Sequence, residues 1–293
     1  MRTEKSLVSI LFSFFLTASL LSLGYSVSAD PVFQEASASS LPPPPQNILV
    51  KNRERFILFM LSNASIVNEE IADQRMDIME AYRDFRNGVS LSTTTKIWLR
   101  EIAMEYDVKD ADFSKDKTWQ ILLNRVNIVP ISLIIAQAIN ESAWGTSRFA
   151  VEGNNYFGQW CFSAGCGMIP KEKRSQGGFF EVQKFRDSLS SVWAYVNNLN
   201  TYYTYQKFRD SREALVKQGK PIAGLSLIHA LSDYSEIRGA YVERITNVIT
   251  KFDLSKYDKR SDVIDLEDDL VKKSHLNVAH DERADKSPLH KTS

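Results

Sequence analysis

Residues 129–161 read VPISLIIAQAINESAWGTSRFAVEGNNYFGQWC, an apolar run that ends in a carboxylate and opens into a polar, aromatic loop. Pro130 suits the first turn of a helix, where its missing N–H would have had no intrahelical partner, and Gly145 suits the stop. The spacing between them predicts a helix of about four turns. Ile131, Leu133, Ile134, Ile135, Ala136, Ala138 and Ile139 leave almost no polar face, the pattern of a helix buried on most sides. Gln137 and Glu141 interrupt it from one face, so a cleft that reaches Glu141 also passes Gln137. Partial burial and the negative end of the helix macrodipole both disfavour the charged carboxylate and raise its pKa. A carboxyl that keeps its proton near neutral pH is what a general acid needs.

The N-terminus has the form of a secretory signal over residues 1–29: Arg2 and Lys5 precede an apolar run from Leu7 to Leu23, and Val27-Ser28-Ala29 supplies small residues before a cut. An uncleaved membrane anchor is the competing reading, weakened by the short run and by Ser9, Ser13, Thr17, Ser19 and Ser22 within it. Export is therefore expected, to the periplasm or cell envelope. Residues 30–47 read as a Pro/Ser-rich linker that includes Pro42 to Pro45, 48–116 as an N-terminal helical region, 117–254 as the main domain, and 255–293 as a charged, disordered tail.

Lys plus Arg equals Asp plus Glu at 36 each, so no net field draws a polyanion and nucleic acid is not the expected partner. The only cysteines, Cys161 and Cys166, are expected to pair in an exported chain. Two thiols without neighbouring histidines cannot complete a zinc site. His229 is the one histidine outside the tail, read as a partly buried, hydrogen-bonded side chain. Histidine-activated nucleophiles and histidine-held metals are thereby disfavoured, and neither metal nor organic cofactor is expected. Carboxylate and tyrosine chemistry remains.

Periodicity predicts a mainly α fold. A helix, or two, spans Lys51 to Asn87, with Ile71, Met76, Met79, Tyr82 and Phe85 as its buried stripe; Thr95–Tyr106 presents Ile97, Trp98, Ile102 and Tyr106, and Lys117–Val126 follows. Met168–Lys171 and Phe179–Phe185 read as a small β-hairpin flap beside the cleft, with the basic run 171–175 at its tip. Helices return with Val192, Trp193, Val196, Leu199, Tyr202 and Tyr203 as core candidates, then with the stripe Tyr241, Val242, Ile245, Val248, Ile249 and Phe252.

The run SLIIAQAINESAWGTSRFA followed by GNNYFGQW resembles the signature of bacterial N-acetylglucosaminidases of glycoside hydrolase family 73, and its WC and GCG continuation is similar to the Bax-like branch. The resemblance covers roughly Trp119 to Phe252. It implies a lysozyme-like α fold that cleaves the β-1,4 bond after N-acetylglucosamine in peptidoglycan, with Glu141 as the catalytic acid. Tyr234 in DYSEIRGAY matches the family's tyrosine near the reaction centre; a half-buried tyrosine bonding to backbone is the alternative. Asn154, Asn155 and Tyr156 match the loop flanking the cleft, where amides suit hydroxyl and acetamido groups and rings suit pyranose faces. The same run also fits a structural turn with Phe157 in the core. Gln137, Trp160 and Tyr241 complete the expected substrate-binding set, Trp160 being equally suited to pack over a disulfide.

A second carboxylate is the open position. Glu172 and Glu181 on the hairpin are the candidates, Glu152 and Glu236 further ones, and the substrate's own 2-acetamido oxygen could replace them all. Two other functions fit the same residues: a lytic transglycosylase or muramidase of similar fold, and a wall-binding scaffold without turnover. A carboxyl on an apolar helix argues against the scaffold, because such a group is costly to bury without a task.

Overall fold

The computed structural model describes residues 53–170, 180–234 and 239–258. The expected signal and linker, Glu172, Glu236 and the tail beyond Asp258 lie outside the described residues.

Helix α1 (Arg53–Arg86) is a single 34-residue element that packs against both α4 (Ile131–Ser142) and α6 (Ser188–Thr201). The N-terminal helical region thus shares one hydrophobic core with the residues after 117, running from Phe56 to Leu254. The buried face of α1 passes through Val67, Ile71, Gln74, Ile78 and Ala81; Met76 and Met79 are only half-buried, off the expected stripe. Tyr82 and Phe85 instead stack on Trp119 of α3 (Asp116–Arg125). On α2 (Thr93–Glu105) Leu99, Ile102 and Ala103 face inward, and Ile97, expected in the core, is exposed.

Side chains distant in sequence satisfy the helix ends. Arg75 on α1 donates to the Leu123 and Val126 carbonyls at the end of α3. Arg212, fully buried on α7 (Gln206–Lys217), donates to the carbonyls of Asn124, Asn127 and Ile128 and to Asn200 Oδ1. Helix α4 has Pro130 at its N-cap and no side-chain cap of its own. Asp258 supplies one, accepting from Ser132 N at 2.8 Å, Ser132 Oγ at 2.6 Å and Gly224 N at 3.0 Å. A Cβ at position 224, the start of α8 (Gly224–Leu227), would lie 2.2 Å from Ser132 Oγ, so this approach needs glycine. The 3₁₀ turn Leu254–Asp258 that carries Asp258 packs on α4 and so extends past the expected start of the tail at 255.

The small sheet has the order β1-β3-β2, with β3 (Glu181–Gln183) antiparallel to both β1 (Trp160–Cys161) and β2 (Gly167–Met168). Met168 pairs with Val182, in keeping with the expected hairpin, and Trp160 pairs with the same residue from the other side. A two-residue strand carries no alternation to read, which is why β1 had no sequence signal. Cys161 and Cys166 form the expected disulfide and close the turn between β1 and β2. The chain completes the fold through α5 (Arg148–Gly153) and α9 (Gly239–Lys251).

Candidate active site

Helix α4 ends at Ser142, two residues earlier than its glycine suggests. Ala143, Trp144 and Gly145 take left-handed φ values of 50°, 62° and 73° in succession, and Ser142 Oγ accepts from Gly145 N at 2.7 Å. Glu141 therefore sits in the last helical turn. A left-handed Trp is rare and costs free energy, so the surrounding packing must hold it. At Gly145 an added Cβ would also lie 2.8 Å from the Phe56 ring. Gly145→Ala is accordingly expected to lower stability by about 1–3 kcal/mol, read as a fall in the urea midpoint; an unchanged midpoint would show that the turn is not under this constraint.

The Glu141 carboxylate is half-buried and accepts from Asn140 Nδ2 at 2.9 Å. Burial raises its pKa, opposed by hydrogen bonds from Asn140 and Tyr241 and by the charge of Arg244. The raised pKa agrees with the sequence reading, and burial is its main cause.

Around this carboxyl stands a cluster of phenols. Tyr195 donates to Gln137 Oε1, and Gln137 Nε2 in turn donates to the Tyr241 hydroxyl at 2.5 Å. Tyr241 then interacts with Glu141, so the donors run in one direction from Tyr195 to the carboxyl. Tyr234 stacks on Tyr241 with ring centroids 5.5 Å apart and donates its hydroxyl to the Phe157 carbonyl at 3.1 Å. Tyr205 lies 6.1 Å from Tyr234, and its pKa is pushed up to about 12, chiefly by burial with a contribution from the charge of Glu141. Burial and Glu141 also drive Tyr195, Tyr234 and Tyr241 upward, so all four phenols remain neutral donors at ordinary pH.

Of the residues expected from sequence, the fold brings together Glu141, Gln137, Tyr234 and Tyr241, but Gln137 and Tyr241, expected to bind substrate, are buried and bonded to each other, and Tyr234 makes the backbone bond of its alternative reading. Asn154 and Asn155 stand elsewhere in the argument. The Asn154 amide donates to the Phe185 and Arg186 carbonyls, and Asn155 donates to Gln159 O and Gln183 O while its oxygen accepts from Phe157 N and Gln159 N. These amides build the loop instead of facing sugar, because their hydrogen-bonding capacity is used on backbone. Tyr156 is buried against Phe56 and Phe59, and Phe157 stacks on Tyr195 at 4.1 Å, a core position. Trp160 is 39% exposed and stacks on Phe180, lining a groove of about 360 Å³ with Gln159, Gln183, Trp193 and Asn197.

Glu181 is buried, and its two oxygens accept from Gly165 N at 3.0 Å, inside the disulfide loop, and from Gly167 N at 2.6 Å, just past it. That use corrects its candidacy as a second acid: it braces the loop. Glu152 is exposed and pairs with Arg148. Among the described residues, the one grouping with metal-ligating chemistry is Cys161, Cys166 and Glu181, whose sulfurs are already joined. His229 is exposed, not partly buried as expected. Tyr202 and Tyr203, expected in the core, are 50% and 77% exposed because α6 ends before them.

Sequence reasoning missed Tyr195, Tyr205, Asn140 and Arg244 at this site. Tyr195 follows Val192 at helical spacing and reads simply as core; Tyr205 lies beyond the helix end; Arg244 occupies the polar face of an amphipathic helix. Only Asn140, next to Glu141 in the chain, carries a local mark of proximity to it.

Residues 116–254 match the sequence model of a family described as glucosaminidase, mannosyl-glycoprotein endo-beta-N-acetylglucosaminidase. Over 137 residues the chain is 38% identical to protein bax of Escherichia coli (strain K12), a stretch covering 47% of this chain and 48% of that protein. The chain thus spans about half the length of the relative it matches. No solved structure matches it.

Proposed function

We propose that the protein is a peptidoglycan hydrolase cleaving the β-1,4 bond after N-acetylglucosamine, with Glu141 as general acid, a reading supported by the match of residues 116–254 to the glucosaminidase model. The observation that carries the proposal is the Glu141 carboxyl itself, raised in pKa by burial at the end of an apolar helix and surrounded by neutral phenols. In this reading the carboxyl passes its proton to the leaving oxygen as the sugar develops oxocarbenium character. In the same reading Tyr241, buried and hydrogen-bonded to the carboxyl, tunes Glu141, and Tyr234, stacked on Tyr241, positions it.

Among the described residues, the side chains that act on Glu141 through hydrogen bonds or as an opposite charge are Asn140, Tyr241 and Arg244, none of them a second acid. The proposed reaction uses the substrate's own 2-acetamido oxygen as nucleophile, a route that asks for one protein acid, Glu141. Its bond to C1 forms as the C1–O bond to the leaving sugar breaks, and the Glu141 proton passes to that oxygen. Water then opens the cyclic intermediate at C1, with the Glu141 carboxylate taking the water's proton.

The test is digestion of purified peptidoglycan, with products reduced by borohydride and identified by mass. Products ending in reduced N-acetylglucosamine support the proposal. Anhydro-muramic ends would assign a lytic transglycosylase, and binding without products a scaffold.

Tyr241→Phe gives a further check. It removes a hydrogen bond that favours the ionised form of Glu141, so the carboxyl's pKa should rise further. The high-pH limb of the kcat profile, where the acid loses its proton, is then expected to move to higher pH. A profile that falls in height without moving would leave Tyr241 a packing role only. Export to the periplasm or cell envelope is part of the same proposal, supported by the Cys161–Cys166 disulfide. No helix of the described residues is long and apolar enough to cross a membrane.

A further inference from the structure

Ile139 and Trp144, on either side of Glu141 in the chain, join α9 and the start of α1 in lining a second groove of about 430 Å³. Its floor is apolar, formed by Ile139, Trp144, Val248 and Phe252, and its rim carries Arg53, Arg244 and Lys251 against one acid, Glu243. In a chain whose formal charge is zero, three cations around one groove are a local concentration of positive charge. They are also held in place. The Arg53 guanidinium lies 5.2 Å from the Trp144 ring centroid and 6.0 Å from that of Phe252, and the Lys251 ammonium 5.8 Å from Phe252. Trp144 and Phe252 meet edge to face at 5.0 Å.

Two further facts connect this groove to the reaction. Trp144 reaches it only through the left-handed backbone that follows Glu141, a conformation maintained at a cost. Arg244, on its rim, is the cation whose charge acts on Glu141. A ligand in the groove therefore meets the cation that acts on Glu141.

We propose that this groove binds a carboxylate-bearing short peptide attached to the glycan strand, so that the protein recognises peptide-substituted glycan at the site where it acts. The proposal rests on the peptidoglycan reading above. The apolar floor suits small aliphatic side chains, and the cationic rim suits the carboxylates of such a peptide. Unsubstituted glycan offers neither feature to it.

The test measures binding and turnover separately, on the full mature chain. Calorimetric titration would compare a soluble N-acetylglucosaminyl-N-acetylmuramyl peptide with the same disaccharide lacking the peptide, for wild type, Arg53→Gln and Lys251→Gln. Both side chains are exposed, so the variants should fold, which thermal unfolding would check. The peptide-bearing ligand is expected to bind more tightly, and each substitution to weaken it by about five- to tenfold, the scale of one charge-assisted contact, while leaving the peptide-free ligand unchanged. In digestion assays KM should rise on peptide-bearing strands and not on strands stripped by an amidase. Equal affinity for the two ligands overturns the proposal, as does tighter binding of inorganic phosphate than of the peptide. If wild type binds the peptide selectively yet cleaves nothing, the hydrolase reading fails and the groove assignment stands.

Discussion

Glu141→Gln is expected to lower peptidoglycan hydrolysis by roughly 10²–10⁴-fold, the usual worth of a positioned general acid, while the folded structure is retained. Glutamine keeps the size and one hydrogen-bonding oxygen of the side chain, so Asn140 Nδ2 keeps an acceptor; what is lost is the transferable proton. Products are to be counted by mass after borohydride reduction, and a variant with near wild-type turnover would remove Glu141 from the chemistry.

The same variant tests the electrostatics without reference to any substrate. Burial raises the Glu141 pKa above its usual 4.5. The folded chain then holds this proton more tightly than the unfolded chain does. The sign follows from linkage: the group's contribution to stability is fully present below about pH 4.5 and is lost as pH rises through the folded pKa. A neutral glutamine escapes that loss. Urea unfolding should therefore find the variant level with wild type in acid and more stable at neutral pH. Equal stability at both would mean that the carboxyl is solvated after all.

Arg212→Met is expected to cost about 3–5 kcal/mol, the range for removing one partner of a buried charged network. The guanidinium is fully buried, donates to four main-chain carbonyls and the Asn200 side chain, and lies over the Phe208 ring. Methionine fills much of the volume but leaves those acceptors unpaired in a site closed to water. Burial and the neighbouring Arg75 and Arg209 press the Arg212 pKa down to about 9, which still leaves it charged at neutral pH. The carbonyls it holds belong to the end of α3 and the segment leading into α4, so the variant should loosen the support of the Glu141 helix. Both the urea midpoint and kcat are expected to fall. A variant as stable as wild type would show that the carbonyls find water or that the segment shifts without penalty.

Much of this was legible in the chain. The central helix, its burial, the acid near its end and the elevated pKa all follow from local facts: which residues are apolar, how they are spaced, and what an apolar surrounding does to a carboxylate. The disulfide followed from two cysteines in a Gly-containing loop. Where the reading failed, one residue type served two purposes that spacing cannot separate. Asn154 and Asn155 have the chemistry to bind sugar and equally the chemistry to close a turn, and only their observed partners show the second. Glu181 could have faced the cleft, but backbone N–H groups in and just past the disulfide loop take both its oxygens.

What the sequence by itself determined is the helix carrying Glu141 and the character of its acid, because helix formation and desolvation depend on near neighbours in the chain. What only the tertiary structure decided is the company that acid keeps. Tyr195, Tyr205, Tyr234 and Tyr241 come from four separate elements and meet around Gln137 and Glu141 only when those elements pack, and Asp258 caps a helix that begins 127 residues earlier. Such meetings arise from long-range packing, in which no residue pattern within a single helix records which side chain will arrive opposite.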